Sequence, residues 1–197
     1  MKRPVMLLVG ILALASCSSS DPSPGNGSGS TPLVSPRAAA AGGTALTVGP
    51  VVVMVPASMT PVAGLTAQPG QQVGGYRSAP NDQGRSGALL VTVATTAQRS
   101  PAAEAEALVG QKRDVQKATN VRMSPVTWPG FKSAAGVEYD DAPASAGAPS
   151  PLHGLVVLAL TDAGQLVSVT ALAPRALFDS LDLTSAVASL RLSNDSG

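Results

Sequence analysis

The 197-residue chain has one cysteine, one histidine and five aromatic residues. Each scarcity excludes something. A lone cysteine, Cys17, cannot close a disulfide within the chain, so the fold must rest on its core. A lone histidine, His153, leaves a Ser-His-Asp hydrolase with a single possible base, and no Gly-x-Ser-x-Gly accompanies it. One histidine and one cysteine also fall short of the three or four ligands of a zinc site. Charge is sparse, at 13% of residues, with 13 basic against 12 acidic side chains. No basic cluster marks a nucleic-acid footprint, and there is no phosphate loop or dinucleotide fingerprint. These absences point to a protein that is not an enzyme, carries no cofactor or metal, and binds no nucleic acid.

The N-terminus is informative. Lys2 and Arg3 precede an apolar run from Val5 to Ala15. As a helix this run reaches about 16 Å, short of the roughly 30 Å bilayer core. A positive start, a short apolar region and small residues at its end are the marks of a secretory signal. Leu14-Ala15-Ser16-Cys17 resembles the lipobox of bacterial lipoproteins. In that family the peptidase recognises the three residues before the cysteine and cuts there, and the sulfur carries a diacylglycerol. The resemblance implies that residues 1–16 are removed and that Cys17 anchors the chain to the extracytoplasmic face of the cell membrane. Cleavage takes Lys2 and Arg3 with it, so the formal net charge turns from +1 to slightly negative.

Residues 17–43 are rich in Ser, Pro and Gly, without apolar periodicity, and read as a disordered linker. One domain is expected over 44–193, followed by a short disordered tail at 194–197. Strand-like runs are Leu46–Val55, Gln72–Arg77, Ala88–Ala94, Val121–Trp128, Ala134–Asp140, Leu155–Leu160 and Gln165–Leu172. Pro129-Gly130 and Thr161–Gly164 mark turns between neighbours. The Pro/Ala/Ser stretch 142–151 reads as a loop, with His153 exposed beside it.

One helix starts after Ser100-Pro101, with Ser as cap and Pro at the first helical position. Its apolar stripe is Ala105, Leu108, Val109 and Val115. A second helix lies near 175–190, burying Leu183, Ala186, Val187 and Leu190. The pattern predicts an α+β fold, a central, mainly antiparallel sheet flanked by helices. Leu155–Leu160 is apolar on both faces and should be a central strand.

Three stretches, VVVMVPASM, VTWPGFKSAAGVEYDD and APRALFDSLDLTSAVASLRL, are similar to segments of actinobacterial LpqN-type lipoproteins. This resemblance implies a PsbP-like α/β/α sandwich. It also implies an accessory, non-catalytic role at the cell envelope, in binding or partner contact. Where these proteins often carry a Trp soon after the first-strand Val-Pro, this chain has Met59.

Two features are candidate sites. Trp128 and Phe131 flank a tight turn, where aromatics either form a binding edge or plug the core. Glu138, Asp140 and Asp141 form the densest acidic patch, read as a solvated strand end rather than a Ca²⁺ site. The expected function is a tethered binding domain for an envelope protein partner, accessory to transport or secretion. The alternative is a carrier for a lipid, glycolipid or other apolar ligand.

Overall fold

In the computed structural model, residues 32–38, 42–141 and 151–193 are described. Ten strands form two sheets. The first pairs β1 (Thr44–Val48), β2 (Val51–Val55) and β10 (Arg191–Leu192). The second has seven strands in the order β3-β4-β5-β9-β8-β7-β6. They are β3 (Met59–Pro61), β4 (Gln71–Ser78), β5 (Ala88–Ala94), β6 (Thr119–Val126), β7 (Ser133–Asp140), β8 (Leu152–Leu160) and β9 (Leu166–Pro174). Every pairing is antiparallel. The α+β architecture read from the sequence is the one found.

The large sheet is covered differently on its two faces. Leu155, Val157 and Ala159 of β8 join Val167 and Val169 of β9 and Leu89, Val91 and Val93 of β5 in one core. That core is closed by β2 and by two short helices, α2 (Arg175–Ser180) and α3 (Leu183–Ala188). On the opposite face Val156 and Leu158 meet Ala135, Val137 and Tyr139, under Ala105 of α1 (Pro101–Gly110). β8 therefore buries both faces, as its unbroken apolar run requires.

Several elements depart from the sequence reading. The run Leu46–Val55 is a hairpin rather than one strand, because Gly49 adopts φ +54° and turns the chain between β1 and β2. α1 starts as expected, with Ser100 Oγ accepting the Ala103 N–H at 3.2 Å. After Gly110 it passes into a π-helical turn, Gln111–Val115, where the Gln116 N–H reaches back to the Gln111 carbonyl. The wider turn rotates later residues out of register. Val115, expected in the apolar stripe, is 73% exposed, while Lys112 is buried. The final helix is two, split where Asp182 adopts φ 50° and caps α3 through the Ser185 N–H. Its expected face, Leu183, Ala186, Val187 and Leu190, is buried.

The domain also reaches upstream of Thr44. Val34 is 4% exposed and lies over Gly136, in the core beside β6 and β7. The Leu33 N–H donates to Ser124 Oγ at 3.2 Å and the Arg37 N–H to the Ala188 carbonyl at 2.9 Å. Residues 32–38 thus form a strap across the closed face, although their composition reads as linker.

Packing in the α1-facing layer is tight at one point that can be tested. Gly154 on β8 sits directly opposite Tyr139 on β7, and a Cβ there would overlap the Tyr139 ring. Gly154→Ala is expected to cost about 1–3 kcal/mol through overpacking, read as a lowered urea midpoint. An unchanged midpoint would show that the ring can move aside.

Candidate functional site

The turn between β6 and β7 is closed by the Phe131 N–H bonding the Trp128 carbonyl at 3.2 Å, with Gly130 at φ +79°. Trp128 points inward and is 2% exposed. Its indole N–H donates to the Leu190 carbonyl at 2.9 Å, fastening the turn to the chain after α3. A buried indole needs such a partner. Phe131 is half-buried against the same core. Met59, where LpqN-type proteins often carry a Trp, is also buried. Of the two aromatics only Phe131 keeps open surface, so the turn offers a ligand one partial aromatic face.

The acidic residues organise a second feature. Asp140 and His153 pair directly across β7 and β8, and Glu138 lies on the same face two residues along. His153 is 5% exposed, on β8 rather than in an exposed loop. The strand starts three residues earlier than its apolar run suggests and draws the ring inward. Its Nδ1 lies 2.8 Å from Asp140 Oδ1, and its Nε2 lies 3.4 Å from Glu138 Oε1. The Phe178 ring of α2 meets it edge to face, with centroids 4.6 Å apart.

Asp140 also accepts from Asn120 at 2.7 Å and faces the Arg175 guanidinium at 3.3 Å. Burial acts to raise the Asp140 pKa. Hydrogen bonds from Asn120 and His153 and the charge of Arg175 outweigh it and hold the carboxyl below its ordinary value. Glu138 is paired with Arg122. On the other face Lys112 Nζ bonds Asp141 at 2.9 Å and sits 3.8 Å above the Tyr139 ring. Burial, and then the Asp141 carboxylate, push the Tyr139 hydroxyl well up.

This arrangement is a clasp. Both imidazole nitrogens face carboxylates. The three acidic side chains that read as a solvated strand end are directed at Arg122, Arg175, Asn120, His153 and Lys112 rather than at a common centre. Among the described residues no group of three or more His, Cys, Asp or Glu is placed to hold a metal ion. Alternation of Glu138 and Asp140 along one strand face was visible in the sequence. Their partner His153, thirteen positions from Asp140, was not.

Two clefts open to solvent near the short helices. One of 350 Å³ runs between the end of β2 and α3, lined by Met54, Pro56, Ser58, Leu181 and Ser185. The other, of 610 Å³, lies between Asn81 and Gln83 on one side and Arg175 and Asp179 on the other. Leu14, Ala15, Ser16 and Cys17, the lipobox residues, lie outside the described residues, as does most of the 142–151 loop.

Two outcomes follow from this geometry. Trp128→Ala should destabilise the domain by about 3–5 kcal/mol, the range for a buried aromatic, read by thermal unfolding. Asp140 contributes stability in full above the ordinary carboxyl value of 3.8, and that contribution is lost as pH falls through its lowered folded value. The wild type should therefore lose stability below about pH 4 more steeply than Asp140→Asn, in urea melts compared at neutral and acidic pH. Parallel losses would remove Asp140 from the acid response.

No protein-family model and no curated protein matches the sequence. Among solved structures the chain is similar to LpqN, a protein involved in cell envelope biogenesis of Mycobacterium tuberculosis. The TM-score is 0.50 at 14% sequence identity, covering 75% of this chain and 82% of that one. At this identity the likeness is one of fold, a distant LpqN-like architecture.

Proposed function

We propose that the chain is a lipid-anchored binding domain of the cell envelope. It is held at the extracytoplasmic face of the membrane by a diacylglyceryl group on Cys17 and recognises a protein partner without catalysis. The observation that carries this reading is the Leu14-Ala15-Ser16-Cys17 sequence on a short apolar region, followed by a Ser/Pro/Gly stretch and then a folded domain. Two acyl chains supply stable anchoring where one would be marginal. Among the described residues no helix is long and apolar enough to cross a membrane.

Two further observations support binding over chemistry. The lone histidine is buried, with Nδ1 bonded to Asp140 and Nε2 at 3.4 Å from Glu138. The fold is similar to that of a protein with an envelope role. A role accessory to envelope transport or secretion is the finer form of the proposal. The carrier alternative asks for an enclosed apolar space of several hundred Å³. The two clefts described above are open to solvent rather than enclosed, which supports the partner-binding reading.

Cys17→Ser should move the protein from the membrane to the soluble fraction or leave it unprocessed with its signal attached. A variant that fractionates and migrates like the wild type would overturn the anchor. Crosslinking in cells, followed by mass spectrometry, should recover one enriched envelope protein. Recovery of acyl lipids in its place would favour the carrier.

A further inference from the structure

The face of the large sheet that carries the main core has a glycine toward each edge. Ser124, Gly136, Val157, Val169, Val91 and Gly74 pair in one row across β6, β7, β8, β9, β5 and β4. Each glycine leaves a trough that another segment fills, and the two fillings differ. Over Gly74 lies β1, pressed so close that a Cβ there would stand 2.7 Å from Val48 and 2.9 Å from Leu46. Over Gly136 lies the strap. A Cβ there would meet Val34 at 3.7 Å and Leu33 at 3.8 Å, with Val126 also at 3.8 Å, all ordinary contact distances.

β1 is paired with β2 along its whole length, whereas the strap forms no strand or helix. Among the described residues the strap backbone is held at its two ends. The Leu33 N–H donates to the Ser124 hydroxyl, and the Arg37 N–H donates to the Ala188 carbonyl at the end of α3. Between them Val34 is buried, Leu33 and Pro36 are half-buried, and Ser35 is exposed. So few contacts for so many ordered residues place the segment at the low end of local stability. The surface beneath it already has the parts of a peptide site. A hydroxyl acceptor lies at one end and a carbonyl acceptor at the other, with an apolar trough over Gly136 beside Val126. Such a surface reads an extended chain by two backbone donors and one aliphatic side chain. Pro36 keeps the resident segment extended at Ser35.

We propose that residues 33–37 are a self-bound segment in a peptide groove, and that the protein partner inserts an extended segment of its own in their place, with an aliphatic side chain where Val34 sits. The strap holds the groove shut in the free protein and sets the affinity a partner has to exceed. The occupant is a polypeptide rather than a lipid, because the two acceptors at the ends of the groove are met by backbone N–H groups, which an acyl chain lacks. The proposal deepens the partner-binding reading and rests on it.

Two measurements on the full-length chain, purified in detergent, test it. In hydrogen exchange the Leu33 and Arg37 amides should exchange faster than those of β8. Low urea should leave their rate unchanged while it quickens exchange in β8. A strap that exchanges together with β8 opens only when the domain unfolds, and overturns the proposal. In the second measurement a synthetic peptide of residues 32–38 is titrated into the isotope-labelled chain and followed by NMR. Val34→Asp releases the resident strap and should bind the peptide about tenfold more tightly than the wild type, whose groove is occupied. The amide signals of Ser124, Val126 and Gly136 should move as it binds. A peptide itself carrying Val34→Asp should bind neither chain. Val34→Ala, a milder release, gives the same reading where Val34→Asp does not fold. Equal affinity for wild type and variant, or no binding to a folded variant, overturns the proposal. Failure of the partner reading would instead appear as acyl lipids in the cellular crosslinking, which these measurements do not use.

Discussion

Everything in this fold answers to the strand Leu152–Leu160. Its side chains are apolar on both faces, so the sheet at that point cannot leave either face to water. α1 and its π-helical turn cover one side. On the other side the three-stranded sheet, α2, α3 and the strap 32–38 share the work. Val, Ala and Leu dominate both cores, and the few aromatics are spent where one large side chain closes a corner, as Trp128 and Phe178 do.

The polar clasp at the end of β7 and β8 follows from the same burial. Once β8 is drawn into the interior, His153 goes with it, and a buried imidazole must find partners. Asp140 and Glu138 supply them from the neighbouring strand, and Arg175 ties the carboxylate to the start of α2. The only histidine thus joins sheet to helix, through Asp140 on β7 and the Phe178 ring of α2.

Much of the scaffold was legible in the sequence because it rests on local rules. The β-branched run Ala88–Ala94 coincides with β5, the Ser100 cap opens α1, and the central position of Leu155–Leu160 follows from its two apolar faces. What escaped depended on backbone geometry or distant partners. The hairpin at Gly49 and the break at Asp182 need left-handed residues inside runs that read as continuous. The exposure of Val115 depends on a single widened helical turn. Burial of His153 and Val34 is decided by neighbours far along the chain, and composition assigned the first to an exposed loop and the second to a tether. For the candidate site, Trp128 and Phe131 were found together at one turn, but only the structure assigns the indole to the core.

The strap extends the packed domain upstream of β1: residues 32–38, which read as linker from their composition, bury Val34 and bond to Ser124 and Ala188. The proposed lipid anchor depends on how the N-terminus is processed. Intact-mass analysis of protein extracted from membranes is predicted to give a chain that begins at Cys17 and carries a thioether-linked diacylglycerol. A chain retaining residues 1–16, or one cut elsewhere with an unmodified Cys17, would contradict it.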